Sequence, residues 1–285
     1  MVNSMNGRRR RPVADTQVQG RSGNAQVSDE DGGRQFIGAL ARGLEVLAAF
    51  REDDRQLGNH ELAERTGISK PTVSRITYTL TQLGYLVHSP RFNTYELGGK
   101  SFALGRVALA SLDVREVAKD LMADIASRTG LTVSLAVRDK LSMLNLEAQD
   151  SDELVGIRLY PGSRVPIVNT AGGRAYLSVA PEKDRHEIFD GVKDSYGEEW
   201  PSLLRAVDRA ALEIEKHGFC MCIGDWRKDV NSAGAVIVMP DGRGIYSLNV
   251  GGPAYLVPQA DIEATVGPIL AEAADELRRR LGCDV

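Results

Sequence analysis

The stretch that most narrows what this chain can fold into runs over residues 59–97, NHELAERTGISKPTVSRITYTLTQLGYLVHSPRFNTYEL. Asn59 is a helix N-cap type, because its side-chain oxygen can accept from the free N–H groups of a first turn, and Leu62, Ala63 and Arg65 continue that helix. Gly67 ends it and supplies the left-handed conformation that a sharp corner needs. Ser69 caps a second helix, Pro71 sits in its first turn where a missing N–H costs nothing, and Gly84 closes it. Two short helices around a glycine turn make a helix-turn-helix, whose second helix is the one that enters a DNA major groove.

The faces of the second helix agree. Val73, Ile76, Leu80 and Leu83 form one apolar stripe, while Lys70, Thr72, Ser74, Arg75 and Tyr78 fall off it. From Ile68 to Tyr95 there is no acidic residue, and Lys70, Arg75 and Arg91 are positive. Donors without carboxylates suit a polyanion, although an αα-hairpin with a solvated polar face has the same pattern. After Gly84 the period changes: Tyr85–His88 and Thr94–Leu97 read as two strands joined by residues 89–93. A hairpin in that place is a wing, with Arg91 on its loop in reach of a phosphate or a minor groove.

At this point the residues resemble a known family. Residues 36–105 resemble the winged helix-turn-helix of IclR-type transcription regulators, through Ala41-Arg42-Gly43-Leu44-Glu45-Val46-Leu47, Glu61-Leu62-Ala63, Thr66-Gly67, Lys70-Pro71-Thr72-Val73-Ser74-Arg75 and Gly84-Tyr85-Leu86. The resemblance continues more weakly to the C-terminus. It implies a sequence-specific transcription regulator rather than an enzyme, working as a homodimer or homotetramer on a double-stranded DNA operator. It also implies a GAF-like or profilin-like effector domain behind the DNA-binding head. The DNA-contacting set is then Ser69, Lys70, Pro71, Thr72, Ser74, Arg75, Tyr78 and Arg91.

At 285 residues the chain is long enough for two domains. No apolar run approaches the ~20 residues that span a bilayer, the arginine-bearing N-terminus lacks the apolar core of a secretory signal, and three cysteines form no paired framework. Together these suit a cytoplasmic location without a membrane partner. The charge is split. Residues 1–34 carry six Arg and four acids, residues 35–100 eight Lys/Arg and seven acids, and the remainder is acidic, for a total of −4. An acidic body discourages non-specific DNA contact and a neutral-to-basic head permits it locally. Residues 1–34 are polar and expected to be disordered, with Arg8–Arg11 read either as a solvated tail or as an arm on phosphate.

The expected organisation is α+β: this tail; a winged helix-turn-helix over 35–99; a linker helix over 100–112; and an effector-binding and oligomerisation domain over 113–285 with an antiparallel sheet. In the head, Phe36, Leu40, Leu44 and Leu47 lie on one face of a helix over 36–51, placed to pack under the helix-turn-helix; in the resembled family this helix also contributes to dimer contacts. In the body, Val117, Leu121 and Ile125 stripe a helix ended by Gly130. Strands are expected from 131, at 143–146, 154–159, 235–239 and 245–250. Helices are expected at 171–179, 183–189, 201–217 and 258–281, with a hairpin turn at 241–244.

Little points to catalysis. His60, His88, His186 and His217 are scattered, Cys220-Met221-Cys222 lacks a second ligand pair for a metal, and neither a G-x-S-x-G elbow nor a phosphate-binding glycine motif is present. No cofactor or metal is expected. A binding pocket is better supported. Asn169–Leu177 resembles the family's Thr-Ala-x-Gly-Lys/Arg-Ala segment, and a glycine pair opening a helix exposes N–H groups suited to a carboxylate. The same glycines would also serve close helix–sheet packing, and both readings stand. The expected pocket takes a small organic acid over an apolar floor of Leu144, Leu146, Ile157 and Val236. Its polar groups are Thr170, the N–H groups of Ala171, Gly172 and Gly173, Ser247 and Asn249, with Trp226 as a wall or an edge cover. The segment 224–234 departs from the acidic pair usual in the family. Two other readings stay open: a regulator whose second domain only oligomerises, and an enzyme with a DNA-binding head.

Overall fold

The computed structural model describes residues 36–51, 54–110, 113–150, 159–239 and 244–283. The tail over 1–34, the strand expected at 154–159 except its last residue, and most of the hairpin turn at 241–244 lie outside them.

The head begins with α1 (Gly38–Ala48), then β1 (Leu57–Gly58), α2 (Asn59–Thr66), α3 (Lys70–Gln82), β2 (Leu86–Ser89) and β3 (Thr94–Leu97). Gly67 at φ 71° turns the chain between α2 and α3, and Gly84 at φ 80° turns it into the wing. The wing pairs Leu86 with Leu97 and Ser89 with Thr94, and β1 adds a third antiparallel strand on β3. That strand is too short to show a period. Val46, Leu57, Leu62, Val73, Leu86 and Tyr95 form the core.

Three details correct the sequence reading of the head. Gly58, not Asn59, precedes α2, and its N–H donates to Glu61 Oε2 at 2.8 Å. Asn59 Oδ1 instead accepts the hydroxyl of Thr77 at 3.1 Å, so it ties α2 to α3. Leu83 is exposed, and Thr77 takes the buried place on α3. On α1 it is Val46 that is fully buried, while Leu40 (59% exposed) and Leu44 (56%) point away from the core.

α4 (Gly99–Ala110) follows, with Phe102, Leu104 and Val107 exposed. The body consists of α5 (Asp113–Thr129), β4 (Thr132–Asp139), β5 (Ser142–Gln149), β6 (Arg164–Pro166), α6 (Ala171–Val179), α7 (Glu182–Tyr196), α8 (Trp200–His217), β7 (Cys220–Ile223), β8 (Val230–Val238) and β9 (Ile245–Pro253). The chain closes with a single turn α9 (Gln259–Asp261), a π-helical turn (Ile262–Val266) and α10 (Gly267–Arg280). The six strands form one antiparallel sheet in the order β6-β5-β4-β9-β8-β7.

Alternation along the strands assigns the two faces. Val133, Leu135, Ala235, Ile237, Leu248 and Val250 pack against Ala118, Met122 and Ile125 of α5 and Leu270, Ala274 and Leu277 of α10. Met143 and Ala136 join Ile167, Tyr176, Leu177, Ile188 and Val207 on the other side, beneath α6, α7 and α8. Each fully buried Leu, Ile or Met contributes about 1.5–3 kcal/mol, so both faces of the sheet are strongly specified.

Candidate functional site

Two surfaces carry the chemistry, one in each half. In the head, α3 starts after Ser69, whose hydroxyl bonds that of Thr72 at 2.9 Å rather than a backbone N–H. Ser69, Lys70, Pro71, Ser74, Arg75 and Tyr78 are exposed and Thr72 is half-buried. Tyr78 is 66% exposed, so its ring is not part of the head core. Arg91 is exposed on the wing loop and stacks over Phe92 at 5.2 Å. Asn93 closes that loop at φ 52°, with Oδ1 3.2 Å from His88 Nε2. Among the described residues no carboxylate pairs with Lys70, Arg75 or Arg91, so all three cations are presented to solvent.

The body encloses a cavity between the start of α6 and the sheet. The centres of water-sized spheres fit in about 50 Å³ of it, and its empty space, with open solvent at the mouth included, is about 510 Å³. On the scale where one water needs about 10–15 Å³, the first volume corresponds to a few waters. Thr170, Ala171 and Gly172 form one wall; Thr132, Ser134, Asn145, Ser232 and Asn249 supply polar surface from the sheet; and Met143, Leu159, Val165, Val230, Val250 and Trp226 supply apolar surface.

The α6 wall is built by a cap. The Thr170 hydroxyl donates to Pro166 O (2.7 Å) and accepts from Gly173 N (3.2 Å), which spends it on local structure. The N–H groups of Ala171 and Gly172 have no intrahelical acceptor, as in any first turn. The glycines let this helix end lie directly on the strands. A Cβ on Gly172 would sit 2.2 Å from Asn249 Oδ1, one on Gly173 would sit 1.8 Å from Ile167 O, and one on Gly234 would sit 2.6 Å from Ala171 O. Asn249 is oriented by Ser247: its Nδ2 donates to Ser247 O at 3.3 Å, and its Oδ1 is buried without a partner.

The structure brings together only part of the expected set. Thr170, Ala171, Gly172, Trp226 and Asn249 border one space. Leu144 and Leu146 do not: they alternate to the opposite face of β5 and join the α5–α10 core, and Met143 and Asn145 stand where a floor from β5 is needed. Val236 is on the correct face but is covered by Ala175, Ala210 and Cys220. Ser247 is fully buried beside Asn249, and Gly173 packs on Ile167. Ile157 lies outside the described residues. Thr132, Ser134, Asn145 and Ser232 were not anticipated; small polar residues at alternate strand positions mark Thr132 and Ser134, whereas Asn145 and Ser232 stand alone on their faces.

Two charged residues of the segments marked by sequence, Arg174 and Asp225, meet here in a pairing that the sequence did not show. Arg174 of α6 is fully buried; Nε donates to Val168 O (3.1 Å) and Nη1 to Asp225 Oδ2 (2.8 Å). Cys220 and Cys222 donate to Ala171 O and Asn169 O. Burial holds the Cys222 thiol above its ordinary range, against the pull of the nearby Arg174, and raises Cys220 as well, so both act as neutral packing groups. No group of three His, Cys, Asp or Glu able to hold a metal occurs among the described residues, and no described helix is long and apolar enough to cross a membrane.

Comparison with known proteins agrees for both halves. Residues 39–90 match the IclR helix-turn-helix domain, and residues 106–279 match the bacterial transcriptional regulator IclR C-terminal domain. The chain is similar to the HTH-type transcriptional regulator TsaQ1/TsaQ2 of Comamonas testosteroni, with 30% identity over 88% of this chain and 91% of that one. A crystal structure of an IclR family transcriptional regulator from Brucella abortus is 38% identical, with a TM-score of 0.80 over 90% of this chain and 96% of the other. An IclR homologue from Microbacterium hydrocarbonoxydans, solved in complex with 4-hydroxybenzoate, shares the fold at 23% identity and a TM-score of 0.70, over 86% of this chain and all of that one.

Proposed function

Since the chain belongs to the IclR family of DNA-binding transcription regulators, which are not enzymes, we propose that a small organic acid bound in the cavity at the start of α6 changes its affinity for a DNA operator. The observation that carries this reading is the cavity itself: a helix N-terminus with two N–H groups free of intrahelical acceptors faces a wall of mixed apolar and amide groups. A helix start favours a carboxylate, and the apolar wall favours a short aliphatic or aromatic body. The Microbacterium relative's complex with 4-hydroxybenzoate makes that acid a sensible first probe.

On the DNA side, Arg75 and its neighbours on α3 would read base edges while Lys70 and Arg91 hold phosphates. One recognition helix covers only a few base pairs, so a two-fold assembly on a near-palindrome completes the contact. The exposed apolar residues of α1 and α4 would be covered by a second copy in a homodimer or homotetramer. The acid acts only if it favours one arrangement of the heads over another, with α4 as the connecting element.

The test is calorimetry of the full chain against a panel of organic acids that includes 4-hydroxybenzoate. Binding at micromolar to millimolar strength, abolished in a folded Gly172→Leu variant, supports the site. A ligand that binds that variant as tightly as the parent places the site elsewhere.

A further inference from the structure

Arg174 is an odd residue to bury. A guanidinium carries five N–H donors and is costly to remove from water unless they are matched. Here Nε and Nη1 are satisfied by Val168 O and Asp225, and Nη2 is buried without a partner. The carboxylate it meets remains about one-third exposed (34%), against 1% for the Arg174 side chain. A pair of this kind is weak evidence of net stabilisation. What a planar guanidinium does well is fix the distance and direction between two groups that it bridges.

Neither group it bridges lines the cavity itself, but each is a chain neighbour of residues that do. Val168 lies in the segment that leads into Thr170, Ala171 and Gly172. Asp225 lies in the loop between β7 and β8 and is followed directly by Trp226, which lines the same cavity. The backbone bonds of that loop are made locally or to the sheet end: Gly224 N to Val230 O (3.1 Å), Val230 N to Arg227 O (3.0 Å), and Ala254 N to Asp229 O (2.8 Å). None of these three joins the loop to α6; the preceding strand is tied there by Cys222 Sγ to Asn169 O (3.1 Å) and Cys220 Sγ to Ala171 O (3.4 Å), and within the loop itself the Arg174–Asp225 contact makes the link.

We propose that Arg174 is a positioning residue for the effector cavity, holding the Trp226 loop against the start of α6 through Asp225 and so setting the spacing of the walls between which the acid binds. The assignment rests on the reading of this cavity as the effector site. Its logic is preorganisation: a loop held in the bound geometry binds with less loss of freedom than one that must be ordered.

Trp226 offers the readout, since the chain has only two tryptophans. In a full-length Trp200→Phe background, emission reports Trp226 alone. Asp225→Ala, which removes the acceptor, should raise acrylamide quenching of Trp226 by about twofold, as expected of a locally released loop. It should also weaken 4-hydroxybenzoate binding about tenfold through lost preorganisation, with DNA affinity in the absence of acid unchanged. Arg174→Met should do the same, and the double variant should be no worse than either single change. If Arg174→Met does not fold, Asp225→Ala, at a partly exposed site, decides alone. Quenching of Trp226 in Asp225→Ala equal to that of the parent overturns the assignment. If the parent binds no organic acid, the effector reading fails instead, and the quenching comparison still decides whether Arg174 holds the loop.

Discussion

At the scale of single residues, two sites in this chain turn a local rule into a testable sign. Arg65 Nη2 donates to Asp54 Oδ1 at 2.8 Å, Nη1 bonds both Asp54 Oδ2 and Ala49 O, and the Arg51 N–H adds a bond at 2.7 Å. The Arg65 hydrogen bond is the main reason the Asp54 carboxyl is held below its ordinary value of 3.8, with burial opposing. A depressed carboxylate stabilises the fold above that value and loses its contribution as pH falls through the lower folded value. Asp54→Asn should therefore destabilise the head by about 1–3 kcal/mol at neutral pH, and the gap should narrow in acid. Urea unfolding across that range checks it, and a pH-independent gap contradicts it. Gly173 gives the second sign. In an ordinary helix Gly→Ala stabilises by about 1 kcal/mol, but a methyl group here meets Ile167 O at 1.8 Å. Gly173→Ala should lower the melting temperature at a cost of about 1–3 kcal/mol; a rise would show that the helix end is free of the backbone beneath it. Asn59 shows why such details are hard to read from sequence: cap and bridge use the same side-chain oxygen, and only the approach of Thr77 decides between them.

At the scale of elements, turns and helices were legible and strand faces less so. Gly67, Gly84 and Gly130 mark turns because each takes a positive φ that other residues resist. The wing and most of the α3 stripe followed from period, but not its last member, since Leu83 is exposed and Thr77 is buried. β5 did not: Ser142–Gln149 has apolar residues on both faces, and choosing Leu144 and Leu146 as a pocket floor was a one-residue error of parity. β1 and β6 have two and three residues, too few for any period. The exposed face of α3 carries the next prediction. Arg75→Ala should cost ~1–3 kcal/mol in operator binding and relax selectivity at one base pair if it reads a base edge. Gel shifts with matched and mismatched operators would show this, and unchanged affinity and selectivity would reject the role. Neutralising Lys70 and Arg91 together should weaken binding to every sequence and lower the salt slope by ~1.8 units. A slope that stays the same would remove them from the phosphate contacts.

At the scale of the whole molecule, the protomer leaves apolar surface that its own core does not use. Leu40 and Leu44 of α1, and Leu104 and Val107 (69% exposed) of α4, follow helical spacing yet face outward, and Phe102 (71%) is exposed beside them in sequence. The sequence showed the spacing but not the direction, because an amphipathic stripe looks the same whether its partner is the same chain or a copy. If the proposed two-fold assembly uses these faces, Leu44→Glu together with Val107→Glu should leave the protomer folded and give a monomer in sedimentation where the parent gives a larger mass; equal masses for parent and variant would remove these faces from the interface. The cavity was legible where a motif marked it, at Thr170–Gly172. It was not legible where non-adjacent strands contributed, because Ser134, Ser232 and Asn249 become neighbours only through the β4-β9-β8 order.

Under the proposed function, occupancy of this cavity is coupled to DNA binding. The most direct measurement of that coupling is fluorescence anisotropy of a labelled operator duplex with the full chain, titrated at fixed salt with and without a saturating acid that calorimetry has shown to bind. A coupling of ~1–3 kcal/mol predicts a shift in operator affinity of roughly 5–150-fold in the parent and none in a folded Asn249→Leu variant that no longer takes the acid. The same operator affinity in the parent with and without bound acid would contradict the account.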